Sequence, residues 1–475
     1  MLHLLQRLSR PSVSSTDPLS WSRLRKELLF ATIILGSCAN GSLRPLLVPG
    51  FAVVAADLQV DLTSVTLLKG SLVMALGVSA YACSSFANYF GKRPVYLFTT
   101  LLVLISCCWA AAARSYTSLI VSRVFQGLGM GGFFALAGTA SINDVFAITE
   151  RGPRVGQWNF AVIVSVNLTP VISGYVITAL SWRWAFWLQA ILCGVLLVVI
   201  ILCFPETTFP RAITATTIIT TAITTTSDPE KNPDTKFETT NLDAEEKPNP
   251  SRVTTLLPVA EKRGNLIFTL IEPLALLLDP IAIWGCILWS VTFTWTILIG
   301  AVASQVFTAA PWSLSTVAVG NLTGIAPLIG SALGTVLGGW LCDLSSRLMA
   351  TRSQPGVYEP EYRLPVLLPA TIAMAVGAFG LGAVVCGVFM AIINFAVGMG
   401  CTGIVAYTND VFAERAGDAF GLAMVAKSAF AGTLAFFSTF GAVSVGVMLT
   451  SLAMFLWGKR IREWSETRDL LSRRK

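Results

Sequence analysis

Charge is scarce in this chain, and histidine is nearly missing. Asp, Glu, Lys and Arg make up 12% of the 475 residues, where a soluble globular domain carries about 25%. The single histidine is His3, in the N-terminal tail. Histidine metal sites and histidine proton relays inside a membrane are thereby excluded. The ten cysteines form no Cys-x-x-Cys pair, so neither a disulfide framework nor a zinc site is indicated. They read as small packing residues within apolar segments. No Gly-Lys-Ser/Thr phosphate loop and no catalytic constellation occurs, which argues against an ATP-driven pump, an enzyme or a bound cofactor. Basic motifs with stacking aromatics are also missing. The net charge of +7 therefore reads as membrane topology, not as nucleic-acid binding.

What the chain has instead is apolar length. Hydrophobic residues make up 54% of it and mean hydropathy is +0.70. A membrane-spanning helix needs about 20 mainly apolar residues. Six such runs fall at 28–48, 65–86, 95–113, 117–139, 157–179 and 184–203, and six more at 281–303, 314–339, 365–384, 387–407, 418–438 and 441–458. The expectation is an all-α membrane protein with twelve transmembrane helices in the lipid bilayer. Its parts would be a tail at 1–27, one six-helix bundle at 28–203, a linker at 204–265, a second bundle at 266–458 and a tail at 459–475. The opening residues are polar and broken by Pro11 and Pro18, unlike a signal peptide. The linker holds a Thr-rich run from Thr214 to Thr226 and a Pro-rich charged stretch. It has too little apolar surface to order itself.

The two bundles repeat a motif. Asn143-Asp144-Val145-Phe146-Ala147 closes the fourth span, Asn409-Asp410-Val411-Phe412-Ala413 closes the tenth, and a Glu-Arg pair follows each. A pentapeptide recurring at the same rank in both halves points to a duplicated membrane unit. Basic residues near span ends fall mostly on one side, including Arg25, Lys26, Lys92, Arg93, Arg347, Arg363, Arg415 and Arg460. Lys69, Arg114 and Arg183 fall on the other. This asymmetry places both termini and the linker in the cytoplasm.

Further motifs lie in order along the chain. Gly91-Lys92-Arg93-Pro94 follows span 2, and Arg123-Val124-Phe125-Gln126-Gly127 lies in span 4. Ser181-Trp182-Arg183-Trp184 follows span 5, Tyr358-Glu359-Pro360-Glu361-Tyr362-Arg363 follows span 8, and Gly458-Lys459-Arg460-Ile461-Arg462 follows span 12. On these residues the chain resembles the major facilitator superfamily, and within it the fungal twelve-span drug/proton antiporter-like branch. The resemblance implies the major facilitator fold, two pseudo-symmetric six-helix bundles working as a monomer on a small organic substrate, with proton coupling.

It also implies roles. The loop after span 2 resembles a cytoplasmic latch whose usual Asp is here Asn88, with Lys92 and Arg93 as its bases and Asp144 and Glu150 as possible partners. Asp343 and Asp410 complete the cytoplasmic gate in the second half. Arg123 and Gln126 match the family's span 4 motif, in which the arginine is proposed to assist proton transfer. Buried Lys427, which unlike arginine can lose its proton, is the second coupling candidate. Candidates for the pocket, by depth and polarity, are Asn40, Gln126, Asn167, Asn321, Asn394, Trp289 and Trp295. Span 5 departs from the family's antiporter motif. Ser165, Thr169 and Ser173 stand where glycines are usual, which still permits close helix approach but weakens the antiport implication. The glycines of span 8 read as packing residues.

No carboxylate lies at mid-depth in any span. The reading is a multi-pass plasma-membrane exporter of a drug, toxin or secondary metabolite, by alternating access and proton antiport. An uptake permease for organic cations or polyamines is the alternative, against which the shortage of acids argues. A non-transporting sensor that keeps the fold is another, and would fit Asn88 and the altered span 5 motif.

Overall fold

The structure is a computed structural model that describes residues 18–146, 148–207, 271–309, 312–352, 359–380, 386–412, 416–434, 447–451 and 454–462. Among these residues the regular elements are helices, with no strand. In the first half run α1 (Arg23–Ser42), α2 (Leu62–Phe90), α3 (Lys92–Ala112), α4 (Tyr116–Leu136), α5 (Ile148–Ala179) and α6 (Trp182–Cys203). In the second run α7 (Pro280–Thr308), α8 (Thr316–Arg352), α9 (Leu367–Gly380), α10 (Cys386–Val411) and α11 (Ala416–Leu434). Each helix falls on one of the first eleven expected spans. The twelfth, 441–458, is described only over 447–451 and 454–458, where it is helical. Most of the expected linker lies outside the described residues.

Seven described helices are long and apolar enough to cross a membrane: Leu62–Phe90, Lys92–Ala112, Tyr116–Leu136, Arg154–Ala179, Trp182–Cys203, Thr316–Ala350 and Gly387–Thr408. α6 shows what faces the lipid. Leu188, Ile191, Val195, Val198 and Leu202 are exposed along one stripe, while Gln189, Cys193, Leu196 and Ile200 are buried on the other. An apolar outer face suits hydrocarbon, not water.

Local chemistry sets the helix ends. Asp61 accepts from the Thr63 amide at 3.3 Å to cap α2, Ser115 caps α4, and Asp279 accepts from the Ile281 amide at 2.8 Å to cap α7. These caps take up amides that have no partner within the helix. Between α2 and α3 the backbone turns at Gly91 with φ of 93°, a conformation costly for a residue with a Cβ.

The duplication is visible in the packing. α2 packs on α4 as α8 packs on α10, α3 on α4 as α9 on α10, and α1 on α5 as α7 on α11. The halves then meet along two seams, α2 against α11 and α5 against α8. Glycines bring the backbones together. A Cβ on Gly320 would lie 2.5 Å from the Pro170 carbonyl oxygen, and one on Gly324 would lie 2.6 Å from that of Asn167. Gly330, Gly334 and Gly338 turn instead to the backbone of α10. The glycine stripe of α8 thus serves two neighbours, one across the seam and one within its half. The small hydroxyls of α5 cost little here. Ser165 donates to the Val162 carbonyl at 2.8 Å and Thr169 to that of Ser165 at 2.6 Å.

Candidate functional site

Buried cations are the most unusual feature between the halves. Arg44 lies in the turn after α1, Lys69 in α2 and Lys427 in α11, with relative exposures of 9%, 6% and 1%. The Arg44 guanidinium stacks 4.7 Å from the ring centre of Phe134 on α4, so it points inward along the bundle. Its Nε is buried without a hydrogen-bond partner among the described residues. Lys427 Nζ sits 4.4 Å from the ring centre of Phe293 on α7 and donates to the Met424 sulfur at 3.0 Å. Phe293 is itself stacked on Trp289, with centroids 6.0 Å apart. A Cβ on Gly300 of α7 would lie 2.7 Å from Lys69 Nζ, which places that ammonium against the second half. The charge of Arg44 repels both lysines.

The asparagines expected in the pocket behave alike. Asn40 donates to the Gly36 carbonyl at 2.8 Å and Asn394 to that of Met390 at 2.9 Å, each one turn back on its own helix. Asn40 Oδ1 is buried and unpaired among the described residues. Asn167 donates to the Ile163 carbonyl at 3.0 Å and also to Ser331 Oγ on α8 at 3.2 Å. That bond crosses the α5–α8 seam. Asn321, also on α8, is partly buried. Trp289 and Trp295 are buried on α7, not turned to lipid.

Arg123 and Gln126 lie elsewhere, inside the first half. Arg123 donates to the Leu43 carbonyl at 3.2 Å and to Gln126 Oε1 at 2.8 Å, and its guanidinium lies over Phe186. Gln126 donates in turn to the Ser106 carbonyl at 3.3 Å. Together they tie α4 to α3 and to the end of α1. The i, i+3 spacing was the sequence signal for this pairing.

At one end of the bundle the repeated motif makes the same bond twice. Asp144 pairs with Lys92 at the start of α3, and Asp410 pairs with Arg363 just before α9, at 3.0 Å. A second tie joins each third helix to the end of its sixth. Glu206, after α6, accepts from the Lys92 and Arg93 amides at 3.0 and 3.1 Å. A carboxylate at a helix N-terminus is favoured by the exposed amides and the dipole. Gly91 makes room for it, since a Cβ there would lie 2.8 Å from Glu206 Oε2. In the second half Arg462 bonds Glu361 at 3.2 Å and Lys459 bonds Glu359 at 2.5 Å. Each of these ties lies within one half. Arg93 donates to the Ile201 carbonyl at 3.0 Å. Asn88 and Asp343 are exposed, and Asp343 pairs with no base among the described residues.

The Ser181-Trp182-Arg183 motif has a clear task at the opposite end. Trp182 Nε1 and Arg183 Nη1 both donate to Asp57 Oδ2, at 3.0 and 2.9 Å. The indole, and then the guanidinium, hold the Asp57 carboxyl below its ordinary pKa.

Arg44 and Lys69 are what sequence reasoning missed. Arg44 falls inside the expected first span, and Lys69 reads as an outer loop charge until its burial is seen. The available signal was two cations within apolar runs that hold no acid.

Comparison with known proteins places this geometry in context. The sequence model of the Major Facilitator Superfamily matches residues 29–436. An uncharacterized MFS-type transporter of Schizosaccharomyces pombe is 24% identical, over 96% of this chain and 88% of its own length. The MFS transporter cpaT of Aspergillus oryzae is 23% identical over 96% of this chain and 93% of its own length. A multidrug transporter of Candida glabrata is 28% identical, over only 40% of this chain and 32% of its own. Among solved structures, a D-xylose-proton symporter superposes with a TM-score of 0.61 at 15% identity, over 90% of this chain and 97% of that one. The fold is shared with it.

Proposed function

The chain belongs to the Major Facilitator Superfamily, and on that premise we propose that it exports a small organic molecule by alternating access, in exchange for protons. It is a multi-pass membrane protein of a transporter family. The observation that carries the reading is how the halves meet. Two seams of small residues close on each other, with buried cations and aromatic rings from both halves between them. Such seams suit halves that rock about a central site.

Within this reading Asn40, Asn167, Trp289, Trp295, Asn321 and Asn394 stand as candidate substrate contacts. Gln126 acts by positioning Arg123. Of the two coupling candidates, Lys427 is the one able to carry a proton, since arginine keeps its charge. The paired ties of Lys92 with Asp144 and of Arg363 with Asp410 keep each half rigid at its cytoplasmic end. The basic asymmetry of the loops supports cytoplasmic termini in the cell membrane. Names among the relatives, which include a multidrug transporter and an MFS antiporter of Candida albicans, favour efflux.

Accumulation of a panel of labelled organic compounds, in cells with and without the chain, tests this. Lower accumulation that rises when the proton gradient is collapsed is the expected result. Higher accumulation would turn the reading to uptake, and no change for any compound would favour a sensor.

A further inference from the structure

The membrane interior of this chain is one-sided in charge. No Asp or Glu occurs in 28–56, 62–143, 151–205, 280–342, 362–409 or 419–462. Those ranges hold every described transmembrane helix apart from its cytoplasmic or outer edge. They also hold Arg44, Lys69 and Lys427, all buried. Burying a charge without an opposite charge is strongly unfavourable. Arginine cannot escape by losing its proton. The Arg44 charge also repels both lysines, so their grouping adds to the cost. By sequence alone, no carboxylate within the spans can offset it.

We propose that the transported molecule is an organic anion with an apolar aromatic body, its anionic group drawn to Arg44, Lys69 and Lys427. The inference rests on the transporter reading and narrows its substrate class. The three cations come from the turn after α1, from α2 and from α11, so they belong to both halves. Lys427 has a thioether and a ring face as its described partners, both weak substitutes for a carboxylate. The buried Arg44 Nε still lacks an acceptor among the described residues. The rings of Phe134 and Phe293 flank the charges and offer faces against which an aromatic body can stack. A carboxylate or sulfonate would satisfy Arg44 and Lys427 and be attracted by Lys69, while an organic cation would be repelled by all three.

The test is a charge series on one skeleton. Binding of radiolabelled naphthoate, neutral naphthamide and cationic naphthylmethylammonium is measured by equilibrium dialysis on the purified full chain. Charge-assisted hydrogen bonds predict that naphthoate binds about tenfold or more tightly than the amide, and that the ammonium binds least. Arg44→Gln and Lys427→Gln each lower naphthoate binding about tenfold and lower naphthamide binding much less. Arg44→Lys and Lys427→Arg retain most of it. Arg25→Gln, at a guanidinium stacked on Trp21, leaves the series unchanged. If a neutralised variant fails to fold, the series on the unaltered chain decides alone. Binding of the amide or the ammonium as tight as that of naphthoate, or no binding of naphthoate, overturns the proposal. Dialysis needs neither gradient nor direction, so the two readings fail separately. Naphthoate binding without efflux sinks the export reading and leaves the anion site. Efflux of cations without naphthoate binding does the reverse.

Discussion

The two seams between the halves are built alike and charged differently. On the α5–α8 side, residues 155–179 and 316–342 contain no Asp, Glu, Lys or Arg. Glycine meets backbone there, and among the described residues one neutral bond, Asn167 to Ser331, crosses the gap. On the α2–α11 side Gly77 faces the Ser428 side chain, and a Cβ there would stand 3.2 Å from the Met424 carbonyl oxygen. Each of those two helices also buries a lysine. Duplication has thus been kept in the packing and abandoned in the chemistry. Close approach is kept on both seams. Charge is placed on one, so the junction between the halves is electrically lopsided.

The comparison can be broken most severely at Gly324. Gly324→Ala drives a Cβ to 2.5 Å from Val171 and 2.6 Å from a backbone oxygen. Overpacking of this kind costs about 1–3 kcal/mol, so melting in detergent should fall by several degrees and transport should be lost. Asn167→Ala comes next. It removes the one bond described across this seam, which contributes about 0.5–1.5 kcal/mol. A faster transport cycle is expected, read as initial rate, with weaker substrate binding beside it because Asn167 is also a candidate substrate contact. The ties made by the repeated motif are smaller still. Asp144 and Asp410 are each about a quarter exposed, and solvent screening holds such pairs to about 0–1 kcal/mol. Asp144→Asn and Asp410→Asn should therefore shift melting little, and by similar amounts, because the bond is the same in both halves. Unequal shifts would show the duplication to be formal only. Gly421→Ala is the mildest test. Its new Cβ would meet Ser84 at an ordinary 3.6 Å, so melting should move by no more than about 0.5 kcal/mol. A large loss there would mean that both seams are equally tight.

Much of this was legible in the residues. The repeated Asn-Asp-Val-Phe-Ala motif marked the ends of the fourth and tenth helices, and the structure adds why its acid recurs. Asp144 and Asp410 each reach a base at the start of the third helix of their own half. The places of the eleven described helices were legible because hydrocarbon thickness dictates length. What hydropathy does not encode is azimuth. It reports how deep a residue lies, not which neighbour it faces. Gln126 was placed at the right depth but turns into the first half, to Arg123 and the Ser106 carbonyl. Lys69 was counted by its position near a span end, and only its burial against α7 separates it from a loop charge. Arg44 was hidden because a basic residue at the end of an apolar run ordinarily snorkels outward. Here it is folded inward over Phe134.

Alternating access across the two seams is the central claim, and paired distances test it most directly. In a cysteine-replaced chain, spin labels at positions 88 and 347 span the halves at the C-terminal ends of α2 and α8. Labels at positions 53 and 312 span them at the other end. Asn88, Arg347, Val53 and Trp312 are all exposed, so labels there leave the core intact. Pulsed distance measurements are made with and without the transported compound and across a range of pH. The account predicts two populations in which one pair shortens as the other lengthens. Distances that stay fixed under every condition, or that lengthen together, would contradict it.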